Sequence, residues 1–324
     1  DPQVSYVIHF EMTDGKSFKF LDSRIDDDSI IQTRTMTLPL DETITTNGID
    51  IRLDLNMPKK YRSDADYILK SFELQTKVVD FYNQILNEYP PIIDISLFGE
   101  RNSFYRGTVW DPHSRLPESF SPIISIGNSQ SNLWDAIGME YTHYVQDYSY
   151  GNMHGYDTSP RSGNHLGSLN PSTADSWVEG VGTFMPAIIA DRETFLEKGR
   201  FGNVYLEQNI KSDGTEWLAE EYSIATLLWD LYDKYGLFDE NVSLSIVEIW
   251  KLIKGFDDFD KYNDEDYMKK FSHTEPIKND KRHIKYFKDF YDYLSNYDIN
   301  HDNKIDHNDQ KIIDDIFESH GISK

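Results

Sequence analysis

Apolar and polar residues alternate along residues 4–10 and 17–21, with Asp14-Gly15 between the two runs. Period-two alternation on either side of an Asp-Gly pair predicts two strands joined by a tight turn. Residues 49–55 alternate in the same way, so residues 1–60 read as a β-rich N-terminal region. The period then changes. After the helix-start signal Ser63-Asp64-Ala65-Asp66, apolar residues recur as Ile68, Phe72, Val79, Tyr82 and Leu86. They form one stripe of a helix that runs to about residue 88 and stops before Pro90-Pro91. Short strands are expected over 92–98, 104–110 and 123–126, and a turn at 127–131 leads into a helix over 132–148. Residues 149–171 have the Gly, Ser, Asn, Pro and His content of a long loop, and long loops in compact domains are often functional. A helix over 172–191 follows. Two or three helices are expected to fill 192–271, among them 220–235 and 244–253. A charged linker at 272–283 precedes a C-terminal helix-loop-helix.

This order of elements predicts an α+β fold in three parts: a β-rich region (1–60), a main domain (61–275) and a C-terminal module (280–324). A length of 324 residues suits two or three domains. The composition supports a packed core, because 14% of the residues are aromatic. The net charge of −24 repels nucleic-acid phosphates and anionic membrane surfaces, so neither is an expected partner. It is compatible with calcium binding. No cysteine is present, which excludes disulfides, thiol catalysis and Cys-type zinc sites. No apolar run approaches the roughly 20 residues of a membrane helix. The chain opens on Asp1-Pro2, a start that fits removal of an upstream secretion signal.

Candidate chemistry concentrates in residues 138–146, Gly-Met-Glu-Tyr-Thr-His-Tyr-Val-Gln. In the H-E-x-x-H pattern, two histidines four apart share one helix face and grip a zinc ion, and the intervening Glu acts as general base. Glu140 and His143 stand in register with that pattern, and Met139 takes the place of the first His. Thirty-six residues beyond His143 lies Glu179, on the next predicted helix. A lone Met on an inner helix face is commonly a gap filler, and a lone His is commonly a hydrogen-bonded core residue. Two carboxylates beside that His fit less well with a plain core, since buried carboxylates need partners.

The segments Glu140-Tyr141-Thr142-His143, Trp177-Val178-Glu179-Gly180 through Phe184, and Ile224 through Tyr232 resemble the gluzincin metallopeptidases, the fungalysin-like and thermolysin-like proteins in particular. The resemblance spans roughly residues 60–270. It implies a zinc endopeptidase fold, with a small sheet above the cleft and a helical half below. It implies His143 and Glu179 as zinc ligands, Glu140 as the catalytic base, and Tyr222 as the residue that stabilises the oxyanion. It implies a peptide or protein substrate paired along residues 121–127, read as the sheet edge beside the cleft. Met139 departs from the pattern. Its neutral thioether is a soft ligand that suits Cu(I) better than Zn(II), so zinc binding is expected to be weak or lost and peptide hydrolysis impaired. Three accounts of Met139 remain open: a natural binding protein that does not cut, an engineered change in an enzyme, or rescue of the site by His154 or His165 from the loop. A non-catalytic, calcium-dependent binding or adhesion protein is the alternative reading.

Residues 298–309 supply the second motif. Asp298, Asn300, Asp302, Asp306 and Asp309 fall at loop positions 1, 3, 5, 9 and 12 of an EF-hand, and Lys304 offers its carbonyl at position 7. Asn303 replaces the usual Gly at position 6, where a left-handed backbone is required, and Asn tolerates that conformation. The unit resembles an EF-hand, or half of a dockerin. Calcium is its expected cofactor, a protein partner is compatible with it, and an extracellular location would suit both.

Overall fold

The computed structural model describes residues 7–8, 15–22, 36–37, 59–99, 103–106, 123–127, 133–150, 173–199, 202–211, 220–232, 242, 244–256 and 290–322. Residues 149–150 aside, the long loop that carries Met153, His154 and His165 lies outside them, as do residues 49–55 and the linker at 272–283.

Strands and helices mix, as an α+β chain requires. The central sheet has the order β2-β4-β6-β5, built from β2 (Phe18–Asp22), β4 (Ile93–Gly99), β6 (Ile123–Gly127) and β5 (Phe104–Arg106). The β2, β4 and β6 strands run parallel, and β5 is antiparallel to β6. Two expectations change here. Among the described residues, the two N-terminal runs do not pair with each other as a hairpin. Instead β1 (Val7–Ile8) pairs with β3 (Met36–Thr37), and β2 pairs with β4. The sheet therefore crosses the expected boundary at residue 60. Residues 123–127 are also not the sheet edge, because β6 lies between β4 and β5, and β5 is the edge on that side among the described strands.

Helix α1 (Lys59–Leu86) crosses over between the parallel strands β2 and β4. It buries Tyr67, Leu74, Val78, Val79 and Tyr82, a stripe rotated slightly from the predicted one, with Ile68, Phe72 and Leu86 at its margin. Phe18, Phe20 and Phe72 cluster between β2 and α1, with ring centroids 5.2–6.3 Å apart. Helices α2 (Leu133–Tyr150), α3 (Thr173–Ile189) and α4 (Glu221–Tyr232) form the second layer. Residues 192–206 are not helical as expected. They form an antiparallel pair, β7 (Thr194–Gly199) and β8 (Gly202–Tyr205), closed between Gly199 and Gly202. Helix α5 (Ile246–Phe256) starts with a Ser245/Glu248 capping pair, in which each side chain accepts the other residue's backbone N–H.

The C-terminal unit packs against this body. Its described part runs from a helical turn at 290–294 through the 298–306 loop to α6 (His307–Ser319). The Phe290 ring lies 4.5 Å from Trp177 of α3, centroid to centroid, and His320 is fully buried beside α4.

Candidate functional site

Helices α2 and α3 pack antiparallel, and glycines set how closely they approach. A Cβ on Gly138 would lie 2.9 Å from the Pro186 side chain. A Cβ on Gly182 would lie 2.6 Å from Cε1 of His143, 3.1 Å from its Nε2 and 3.3 Å from Cγ of Met139. Met139 and His143, four apart on α2, therefore both face the bare backbone of α3 at Gly182. On α3, Gly182 lies one turn beyond Glu179.

This contact brings His143 and Glu179 together. Nε2 of His143 is 3.5 Å from Oε2 of Glu179, and Nδ1 is 3.1 Å from Oε1 of Gln146. His143 is buried, and Glu179 keeps part of its side chain in solvent. Two ligands on one tetrahedral zinc, with bonds of ~2.0–2.1 Å, stand roughly 3.4 Å apart, so the observed spacing is compatible with a shared ion as well as with a direct imidazolium–carboxylate pair. Glu140 is buried on the same helix, and its charge acts on His143. Among the described residues, however, the donor set ends at two ligands, one imidazole and one carboxylate. Met139 holds the third position and offers only a thioether, which does not fit a catalytic zinc centre.

Burial alone pushes the His143 pKa down. The Glu179 carboxylate, and after it Glu140 and the Gln146 amide, outweigh burial and raise it to about 9. The folded pKa lies above the ordinary value near 6.5. The protonated imidazole thus adds stability that is complete below pH ~6.5 and is lost as pH rises through about 9. The loss is on the order of 3 kcal/mol for a shift of this size. In the presence of chelator, urea stability is expected to decline from pH 6.5 to 9 in the native protein and to decline less in His143→Asn. Parallel profiles for the two proteins would contradict the pairing.

Tyr222 is fully buried in the first turn of α4, where Glu220 accepts the backbone N–H groups of Tyr222 and Ser223 at 2.9 and 2.7 Å. Gln146 was not anticipated as part of the cluster, although its place one turn after His143 on the same helix is a signal the sequence carries.

In the C-terminal loop, Asn303 has φ of 67°, the left-handed conformation its position demands. The Asp and Asn side chains order the loop by accepting backbone N–H groups. Asp298 takes those of Asp302 and Asn303, Asn300 that of Asp302, and Asp302 that of Lys304. Asp309 is buried and accepts from Ile299 and Asp306, and Asp306 caps α6 in a reciprocal capping box. Among the described residues, no three or more His, Cys, Asp or Glu side chains are grouped as a metal site. No helix among them is long and apolar enough to cross a membrane. Compared with known protein families, curated proteins and solved structures, the chain matches none of them.

Proposed function

We propose that this chain is a gluzincin-type protein whose peptide-hydrolysing centre is disabled at Met139, so that it binds extended peptide without cutting it. The observation that carries the reading is the pair formed by His143 and Glu179. Two helices deliver one imidazole nitrogen and one carboxylate oxygen at the spacing of ligands that share a zinc ion, with Glu140 beside them. A zinc ion held by His143 and Glu179 would supply Lewis acidity and an acidified water. Glu140 would take up and pass on a proton, the role the resemblance implies for it. A peptide would pair by strand addition along the sheet edge, and among the described strands that edge is β5 rather than β6. A role for Tyr222 towards the oxyanion rests on the resemblance alone, since its side chain is fully buried in α4.

The reading extends to a secreted setting, where calcium would occupy the 298–309 loop through Asp298, Asn300, Asp302, the Lys304 carbonyl, Asp306 and Asp309. Support comes from the left-handed Asn303 and the inward, backbone-bonded carboxylates. A calcium-dependent binding protein with no peptidase ancestry is the competing reading.

Met139→His tests the proposal. Losing an outer partner of a metal ligand costs ~10–100-fold in affinity, so restoring a ligand itself is expected to raise zinc affinity by at least ~100-fold. Cleavage of a peptide library is expected in Met139→His and its loss in Met139→His/Glu140→Gln, with zinc affinity retained. A Met139→His protein that takes up no zinc would refute the reading and favour the competitor.

A further inference from the structure

Helix α3 is held from two sides. One face carries Glu179 and Gly182 against α2. Two residues before Glu179 stands Trp177, about 200° away around the helix at 100° per residue and so on nearly the opposite face. Trp177 is fully buried, and its ring packs on Phe290, which is also fully buried and lies 6.5 Å from Phe317 of α6. Phe184 shares the Trp177 face, seven residues on, and meets Tyr232 of α4 with centroids 6.2 Å apart. Helix α4 is fastened to the same C-terminal unit. Thr226 hydrogen-bonds Nδ1 of His320 at 3.0 Å, and Asp230 hydrogen-bonds its Nε2 at 2.9 Å. The unit thus grips both α3, which delivers Glu179, and α4, against which α3 is set.

We infer that the C-terminal unit is part of the scaffold of the candidate site, with Phe290 acting through Trp177 as a positioning residue for Glu179. The inference rests on the proposed reading for the role of Glu179, whereas the packing stands without it. A buried ring on one face of a rigid helix transmits its displacement to the other face, because close-packed interiors shift as units rather than compress. Removing the Phe290 ring lets α3 settle toward the C-terminal unit and draws Glu179 away from His143.

The test uses the full chain in two arms. The first arm follows modification of His143 by diethylpyrocarbonate, by peptide mass, in the native protein, Phe290→Ala, Phe290→Leu and Phe20→Leu. The last is a core variant in the β2–α1 cluster, away from α3. Phe290→Ala is expected to speed modification about tenfold while the fold persists, as a local opening made easier by one power of ten does. Phe290→Leu is expected to recover part of the protection, and Phe20→Leu to leave it unchanged. The second arm adds Phe290→Ala to Met139→His and expects zinc affinity to fall by ~10-fold or more, the scale of losing an outer support of a ligand. His143 protection in Phe290→Ala equal to that in the native protein would overturn the inference. Failure of Met139→His alone to bind zinc would count against the reading of the site, and the first arm would still decide the role of Phe290.

Discussion

Gly180→Ala is expected to destabilise this protein by about 3 kcal/mol or more, at the upper end of small-to-large changes in packed interiors. The new Cβ would lie 2.6 Å from Cγ2 of Ile224 and 2.8 Å from the backbone carbonyl oxygen of Glu221. Ile224 is itself fully buried and branched at Cβ, and the Glu221 carbonyl belongs to the first turn of α4. Neither neighbour can yield without moving a helix. Gly182→Ala is the informative companion. Its Cβ would meet the ring of His143, a side chain, so the strain falls on the candidate site rather than on a helix backbone. Urea unfolding of the two variants measures the difference. A Gly180→Ala midpoint equal to that of the native protein would show that α3 and α4 stand farther apart than described.

The second large effect is expected at His320. Its ring is fully buried between Thr226 and Asp230, and the Asp230 side chain is only 4% exposed. Replacing His320 with Leu strands a carboxylate in the interior, and breaking one partner of a buried pair typically costs 3–5 kcal/mol, so a loss of about 4 kcal/mol is expected. Replacing both partners with apolar residues, as in His320→Leu/Asp230→Leu, removes the stranded charge and is expected to restore much of the loss. Since α6 and residues after it are fastened at this point, His320→Leu is also expected to expose residues 290–322 to limited proteolysis before the rest of the chain. Equal midpoints for the single and double variants would mean that the pair is solvated and does not hold the unit in place.

The sequence made some of this legible because local signals agreed with tertiary ones. The periodic runs of α1, α2 and α3 located those helices within a few residues, since an amphipathic or apolar stripe has only one packing solution per helix. Glu140, His143 and Glu179 could be singled out because helical spacing alone puts the first two near one face, and the structure brings the third to His143. The strand pairing was not legible. Asp14-Gly15 marks a turn, and Gly15 does have φ of 71°, yet a turn does not dictate which strand the chain meets next. The β7–β8 pair was hidden by Thr194-Phe195-Leu196-Glu197-Lys198, rich in helix-forming residues. The stronger signal was the glycine on either side of a two-residue link at Gly199 and Gly202. The C-terminal unit read as detachable because its loop motif is self-contained. Nothing local in Trp177 or Phe290 announces that they touch across more than a hundred residues.

The pairing of β2 with β4 carries a consequence for how the chain acquires its shape. Phe18 meets Ile93 in the register of that pair, so the first strand of the central sheet finds a neighbour only after some seventy-five intervening residues, α1 among them. Parallel pairing at such separation meets the entropy of loop closure before contact energy can offset it, which is the property that slows topologies of high contact order. During synthesis, Phe18 and Phe20 can meet Phe72 of the emerging α1 before β4 has followed. The aromatic cluster between β2 and α1 is thus, for an interval, apolar surface that a newborn chain could offer to the wrong company.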